Sequence, residues 1–252
     1  MRSARTEKNR LDRLLVERGL AASRQKAQAL ILAGQVLVDE QKVEKCGAAV
    51  SVTASLRLLG SGLKYVGRGG LKMEAALDHF GVNPEGKVCL DVGASTGGFT
   101  DCLLQRGARK VFAVDAGTNQ LDWKLRQDAR VVVLEKTNAR YLAFERIGER
   151  VGLATLDVSF ISSTLILPVL PPLLEAGADL VALVKPQFEV GAAQVGKGGI
   201  VRDPGLHEEA VEKVARKVAE LGFTEISRVE SAILGAEGNR EFFLHAIWPK
   251  NV

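Results

Sequence analysis

A chain of 252 residues, 46% apolar and 25% charged, allows one large domain or two unequal ones and excludes disordered and collagen-like classes. The longest uncharged run, 158–174, holds Pro168, Pro171 and Pro172 and is short for a membrane span; the basic start MRSARTEKNR leads into no apolar signal segment. Cys46, Cys89 and Cys102 are odd in number and far apart, so no disulfide framework or zinc knuckle is written and a reducing cytoplasm is the expected compartment.

Charge is uneven along the chain. Residues 1–72 carry 14 Lys/Arg against 6 Asp/Glu, and residues 73–252 carry 20 against 24. A basic N-terminal piece on a mildly acidic body fits a polyanion-holding module, or simply a solvated basic helix surface. Leu11, Leu14 and Leu15 recur at helical spacing, and Gly19 closes that first helix. Ser23 is an N-cap for a second helix with Ala27, Leu30 and Ile31 on one face and Gly34 at its end. Arg24 and Gln28 lie one turn apart with Lys26 beside them, so the polar side of this helix is basic. Two strand-like runs, 35–38 and 42–43, flank the polar turn Asp39-Glu40-Gln41. So small a piece buries little core and reads as an appended binding module. The pattern Arg10-Leu11-Asp12, Leu15, Gly19, Ser23-Arg24, Ala27, Ile31 and Gly34-Gln35-Val36 resembles the alpha-L RNA-binding motif over residues 9–60. The resemblance implies that Arg10, Arg13, Arg24, Lys26 and Gln28 face structured RNA, mainly through phosphates and shape.

A second domain opens at the strand-like run 87–92, which ends in Gly93-Ala94-Ser95-Thr96-Gly97-Gly98 and a helix from Phe99. A strand, a glycine loop and a helix start cradle a nucleotide-like cofactor, with Asp91 and residues 93–99 as contact candidates. A dinucleotide fingerprint needs glycine where Ser95 stands, which favours the related loop that holds S-adenosylmethionine. Asp115 ends the next strand-like run, 110–114, where an acid is placed to bind both hydroxyls of an adenosine ribose; Asn138 follows the third run, 130–134. Further runs at 152–156, 180–184, 224–229 and 242–247, with a helical stretch over 204–221, predict an α/β fold. Its expected form is a Rossmann-like methyltransferase sheet with helices on both faces, plus a small N-terminal α+β RNA-binding domain. The expected boundaries are 1–60 for the RNA-binding domain, 61–85 for a linker and lead-in helix, and 86–252 for the methyltransferase domain.

Ligands of such sheets bind beyond the carboxyl ends of the strands, where Asp157 and Lys185 stand. Asp157 is followed by Val-Ser-Phe, not the Pro-Pro-Tyr of amine methylation, and no cysteine marks a strand end for carbon-5 chemistry. A lysine at the mouth of an apolar strand can act as a base; the competing reading is an ion pair that only closes the sheet. With Lys72 in Arg68-Gly-Gly-Leu-Lys72-Met and Glu241 in Gly238-Asn-Arg-Glu241-Phe-Phe, the set Lys72, Asp157, Lys185 and Glu241 resembles the tetrad of FtsJ-like RNA ribose 2′-O-methyltransferases. Lys64 is a nearby competitor for the first lysine. Together with the basic module, the stretches KPQFEVG (from Lys185) and GGIVRD (from Gly198) are similar to the TlyA family, the haemolysin-A-like rRNA 2′-O-methyltransferases, over about residues 9–248.

That resemblance implies S-adenosylmethionine as cofactor, no metal, and ribosomal RNA, within assembled subunits, as partner. Lys185 would activate the ribose hydroxyl, Asp157 would orient it and meet the cofactor's amino group, and Lys72 and Glu241 would fix hydroxyl and ribose. Two rivals from other classes are a haemolysin-like membrane-active protein and a non-catalytic RNA-binding factor. Against the first, no span or strongly amphipathic cationic helix is evident.

Overall fold

A computed structural model describes residues 8–21, 23–39, 41–58, 64–235 and 238–250. The chain divides into two compact units, residues 1–63 and 64–252. Glu40 of the expected hairpin turn and the expected boundary at residues 60 and 61 lie outside the described residues.

In the first unit, β1 (Lys8–Arg10) runs directly into α1 (Leu11–Glu17), and α2 (Arg24–Leu32) follows. Ser23 Oγ accepts from the Lys26 amide at 3.2 Å, the cap its residue type announces. Leu11, Leu14, Leu15, Ala27 and Ile31 form one buried cluster with Val36 and Val50. β2 (Val36–Val38) and β3 (Gln41–Lys42) make the expected hairpin. Three strands were not legible: β1 itself, β4 (Ala49–Ser51), antiparallel to β1, and β5 (Leu56–Leu58), antiparallel to β2. Each is three residues long, too short to establish an alternating pattern.

The second unit is a seven-stranded sheet with helices on both faces. Its strands are β6 (Val88–Val92), β7 (Lys110–Val114), β8 (Val131–Leu134), β9 (Val151–Leu156), β10 (Leu174–Val184), β11 (Thr224–Glu230) and β12 (Phe242–Ile247). They lie in the order β11-β12-β10-β9-β6-β7-β8. All pairings from β8 to β10 are parallel, and β12 is antiparallel to both neighbours. Period-two alternation divides the core. Leu90, Leu156, Leu180 and Ala182 face Val211, Val214 and Val218 of α5 (Pro204–Glu220). Cys89, Leu153, Val181 and Leu183 face Met73 and Leu77 of α3 (Arg68–Phe80) and Leu103 of α4 (Gly98–Gln105). Each large apolar side chain so buried contributes about 1.5–3 kcal/mol.

β10 starts at Leu174, six residues before the expected strand, and its register shifts between Leu174 and Asp179, where Glu175, Ala176 and Gly177 break the apolar pattern. Ahead of it, the proline-bearing run forms three short 3-10 turns instead of an α-helix.

Candidate active site

Strand order reverses at β6, which pairs with β7 on one side and β9 on the other. Beyond the carboxyl ends of these strands lies a cleft of about 450 Å³, lined by Gly93, Ser95, Asp115, Asn138, Asp157 and Ser159 among others. A switch-point crevice of this size is where a doubly wound sheet holds a cofactor. A smaller cavity of about 110 Å³ continues past the loop, lined by Gly69, Ala94, Thr96, Gly98, Phe99 and again Asp157. Gly93 has φ 88, and a Cβ there would sit 2.2 Å from the Asp157 carbonyl oxygen, so no side chain fits between the ends of β6 and β9. Asp115 holds the loop: Oδ2 accepts from the Ser95 amide at 2.8 Å and Oδ1 from the Gly117 amide at 2.7 Å. Asn138 caps a 3-10 turn by accepting from the Arg140 amide.

Two expected cofactor contacts are not brought to the cleft. Asp91 is fully buried, and its carboxylate accepts from Thr100 Oγ1 at 2.6 Å and Thr155 Oγ1 at 3.0 Å. Burial, reinforced by the charge of Asp157, raises its pKa to about 6 against the hydrogen bonds that lower it. Alternation along β6 turns Asp91 away from the face of Leu90 and Val92, so it ties β6 to α4 and β9 from within. Gly97, at φ 95, is the left-handed N-cap of α4 and faces Leu121 and Leu125, so its role is the turn itself.

The four tetrad residues converge. Asp157 and Lys185 directly follow β9 and β10, and Lys185 Nζ lies 2.5 Å from Asp157 Oδ1. Phe242 of β12 pairs with Val184, so Glu241 and Lys185 are neighbours one step beyond that pair. Glu241 is buried, and its Oε2 accepts from Lys72 Nζ at 2.5 Å across 169 positions of chain. Lys64 instead pairs with Glu74 and lies over the Tyr65 ring, so Lys72 is the lysine that reaches the strand ends.

In the first unit, three of the five expected RNA contacts share one partner. Asp12 is fully buried; it accepts from Arg10 Nε and Nη2, Arg24 Nε and Gln28 Nε2 at 2.9–3.0 Å. Arg10, first of these, holds the Asp12 carboxyl well below the usual carboxylate range. Arg10 and Arg24 remain about half exposed, and Arg13 and Lys26 are exposed. Sequence reasoning missed Asp12 as the hub; an acid beside three helical leucines was the available signal. It also passed over Ser159, whose Oγ accepts from Lys185 Nζ at 3.0 Å and which stands two residues after Asp157.

A parallel sheet that reverses at a glycine loop, with an acid at the next strand end and an antiparallel β12 between β10 and β11, defines a Rossmann-like methyltransferase domain. The S-adenosylmethionine-dependent methyltransferase of Mesorhizobium loti shares this fold at 15% identity, with a TM-score of 0.53 over 72% of this chain and 100% of that one. Residues 65–247 match the FtsJ-like methyltransferase family and residues 9–53 the S4 domain. The chain belongs to the FtsJ-like methyltransferases, in their TlyA and hemolysin A branch. It is 50% identical to the 16S/23S rRNA (cytidine-2′-O)-methyltransferase TlyA of Mycobacterium tuberculosis over 236 residues, 93% of this chain and 88% of that protein. It is 44% identical to Hemolysin A of Brachyspira hyodysenteriae over 239 residues, 94% of this chain and 99% of that protein. Among the described residues, no helix is long and apolar enough to cross a membrane.

Proposed function

We propose that this protein transfers a methyl group from S-adenosylmethionine to a ribose 2′-hydroxyl of ribosomal RNA. The observation that carries the reading is the meeting of two lysine–carboxylate pairs, Asp157–Lys185 and Lys72–Glu241, at neighbouring strand ends beside the switch-point cleft. The names of the curated relatives and the S4 domain support rRNA as the substrate.

The cleft fits the cofactor by its donor set. Asp115 is the acid for ribose hydroxyls, and the 93–98 loop with the α4 N-terminus suits a carboxylate. Among the described residues Asp157 Oδ1 is a buried acceptor without an aligned hydrogen bond, close to the Lys185 ammonium and suited to a second one. When bound, S-adenosylmethionine supplies an electrophilic methyl on a good leaving group. The protein then has to align the acceptor and manage one proton. Lys185, as the neutral amine, would take the hydroxyl proton as the hydroxyl oxygen accepts the methyl group. Lys72 and Glu241 hold the ribose, and the basic face of the first unit supplies phosphate contacts.

The test incubates purified protein with methyl-labelled cofactor and ribosomal subunits, then digests the RNA to nucleosides. Label in 2′-O-methylnucleosides is expected. Label on a base would overturn the assignment of the acceptor, and RNA retention without label would establish a non-catalytic binding factor instead.

A further inference from the structure

We propose that Ser159 is the residue that aims Lys185 at the acceptor hydroxyl, a positioning role that rests on the methyl-transfer reading above. Asp157 Oδ1 lies 2.5 Å from Lys185 Nζ, yet among the described residues it receives no hydrogen bond of acceptable angle. The aligned bond from the amine runs to Ser159 Oγ at 3.0 Å. The carboxylate therefore supplies charge, and the serine supplies direction. A lysine amine rotates freely on a flexible stem, so one charged neighbour leaves its remaining donor, or its lone pair once deprotonated, without a fixed heading. A second partner removes that freedom and turns the third position toward the cleft, which Ser159 itself lines.

The segment that carries Ser159 is built to hold still. The Glu189 carboxylate, only 1% exposed, accepts from Ser162 Oγ at 2.5 Å and from the Ser163 amide at 2.7 Å. Lys213 pairs with that carboxylate at 3.4 Å and donates to the Glu189 carbonyl at 2.6 Å. Glu189 stands four residues after Lys185, and Ser162 stands five after Asp157, so this clasp joins the two loops that bear the ion pair. A second tie is the Phe160–Phe188 ring pair, with centroids 5.3 Å apart. Phe160 adopts φ 64, a left-handed conformation uncommon for an aromatic residue, with its ring turned out to solvent. Ser159 thus reaches Lys185 from a turn whose far end the Glu189 clasp ties down.

The test compares full-length wild type, Ser159→Ala and Ser159→Thr. Single-turnover methyl transfer to ribosomal subunits at saturating cofactor is expected to slow about tenfold in Ser159→Ala, the worth of one hydrogen bond to a charged group. Ser159→Thr, which keeps the hydroxyl, is expected to stay near wild type. Calorimetric affinity for S-adenosylmethionine and Tm should be unchanged in both. A cofactor-free measurement follows the acylation rate of Lys185 by mass spectrometry. Losing the acceptor frees the amine, so the rate should rise about threefold or more in Ser159→Ala and not in Ser159→Thr. Unchanged transfer and acylation in Ser159→Ala would overturn the proposal, as would equal losses in both variants. Weakened cofactor binding with normal single-turnover rate would make Ser159 a cofactor contact instead. If wild type itself transfers no label, the methyl-transfer reading fails, while the acylation comparison still decides the Ser159–Lys185 contact.

Discussion

The two ends of the central sheet each carry a lysine–aspartate pair, and the pairs are built differently. Toward the amino ends of the parallel strands, Asp179 accepts from Lys87 Nζ at 2.7 Å through Oδ2 and meets His245 Nε2 at 2.8 Å through Oδ1. Both oxygens are satisfied, and His245 stacks on Phe80 behind them. At the carboxyl ends, among the described residues, Asp157 keeps an oxygen without an aligned donor while Lys185 lies beside it. A pair that exhausts its bonding capacity closes a structure. A pair that holds some back can still bind something else. Unused capacity at a strand end, more than the presence of opposite charges, separates a site from a clasp.

Substitutions should split the pairs by what they damage. The largest effect is expected from Lys185→Met, with methyl transfer down by about 10²–10⁴ while cofactor calorimetry and Tm stay near wild type. Near-normal turnover would put Asp157–Lys185 in the same class as Lys87–Asp179. Asp179→Ala should do the reverse, with a loss of about 2–3 kcal/mol in urea unfolding and single-turnover transfer within twofold, because Lys87 and His245 lose their acceptor. A large kinetic defect in that variant would erase the distinction.

Two further carboxylates sharpen it through pH. Asp91, satisfied by neutral donors, has its pKa raised to about 6 by burial. The folded state therefore keeps a proton that the unfolded chain has already released, and stability falls as pH rises from about 4 to about 6. Asp91→Asn should flatten that fall, which amounts to about 2–3 kcal/mol in unfolding free energy measured across the window. An unchanged slope would place the raised pKa elsewhere. Asp12, satisfied by cations, has its pKa lowered instead. Its contribution is present above the unfolded carboxylate value and is lost as pH falls through the folded one. Asp12→Asn should destabilise at neutral pH by about 1 kcal/mol, since Arg10 and Arg24 are half exposed, and by progressively less in acid. A penalty that grew on acidification would reverse the sign of this reasoning.

The sequence displayed the sheet well because its central strands are apolar runs that end in polar residues, which places Asp115, Asp157 and Lys185 at strand ends. Lys72 and Glu241 came only from resemblance, since 169 positions of chain and a helix–strand contact separate them. Asp91 was misplaced because a motif position says which strand bears an acid and not which side of the strand it faces. Thr100 and Thr155, which turn it inward, are visible only once β9 and α4 are packed. Ser159 escaped because its meaning depends on the angle between a lysine and an aspartate, a quantity no residue pattern carries.

The antiparallel placement of β12 also has a consequence in time. Glu241 leaves the ribosome after β6 through β11 have been synthesised, and it completes a pair with Lys72, which emerged near the start of the same unit. Domains fold largely as units during synthesis, so the partner that neutralises Lys72 arrives after the glycine loop, Asp115, Asp157 and Lys185. A nascent chain can hold every cofactor-cleft residue named here and still lack the fourth tetrad member. On the proposed mechanism, a chain still lacking Glu241 and β12 would lack the carboxylate that pairs with Lys72 to hold the ribose.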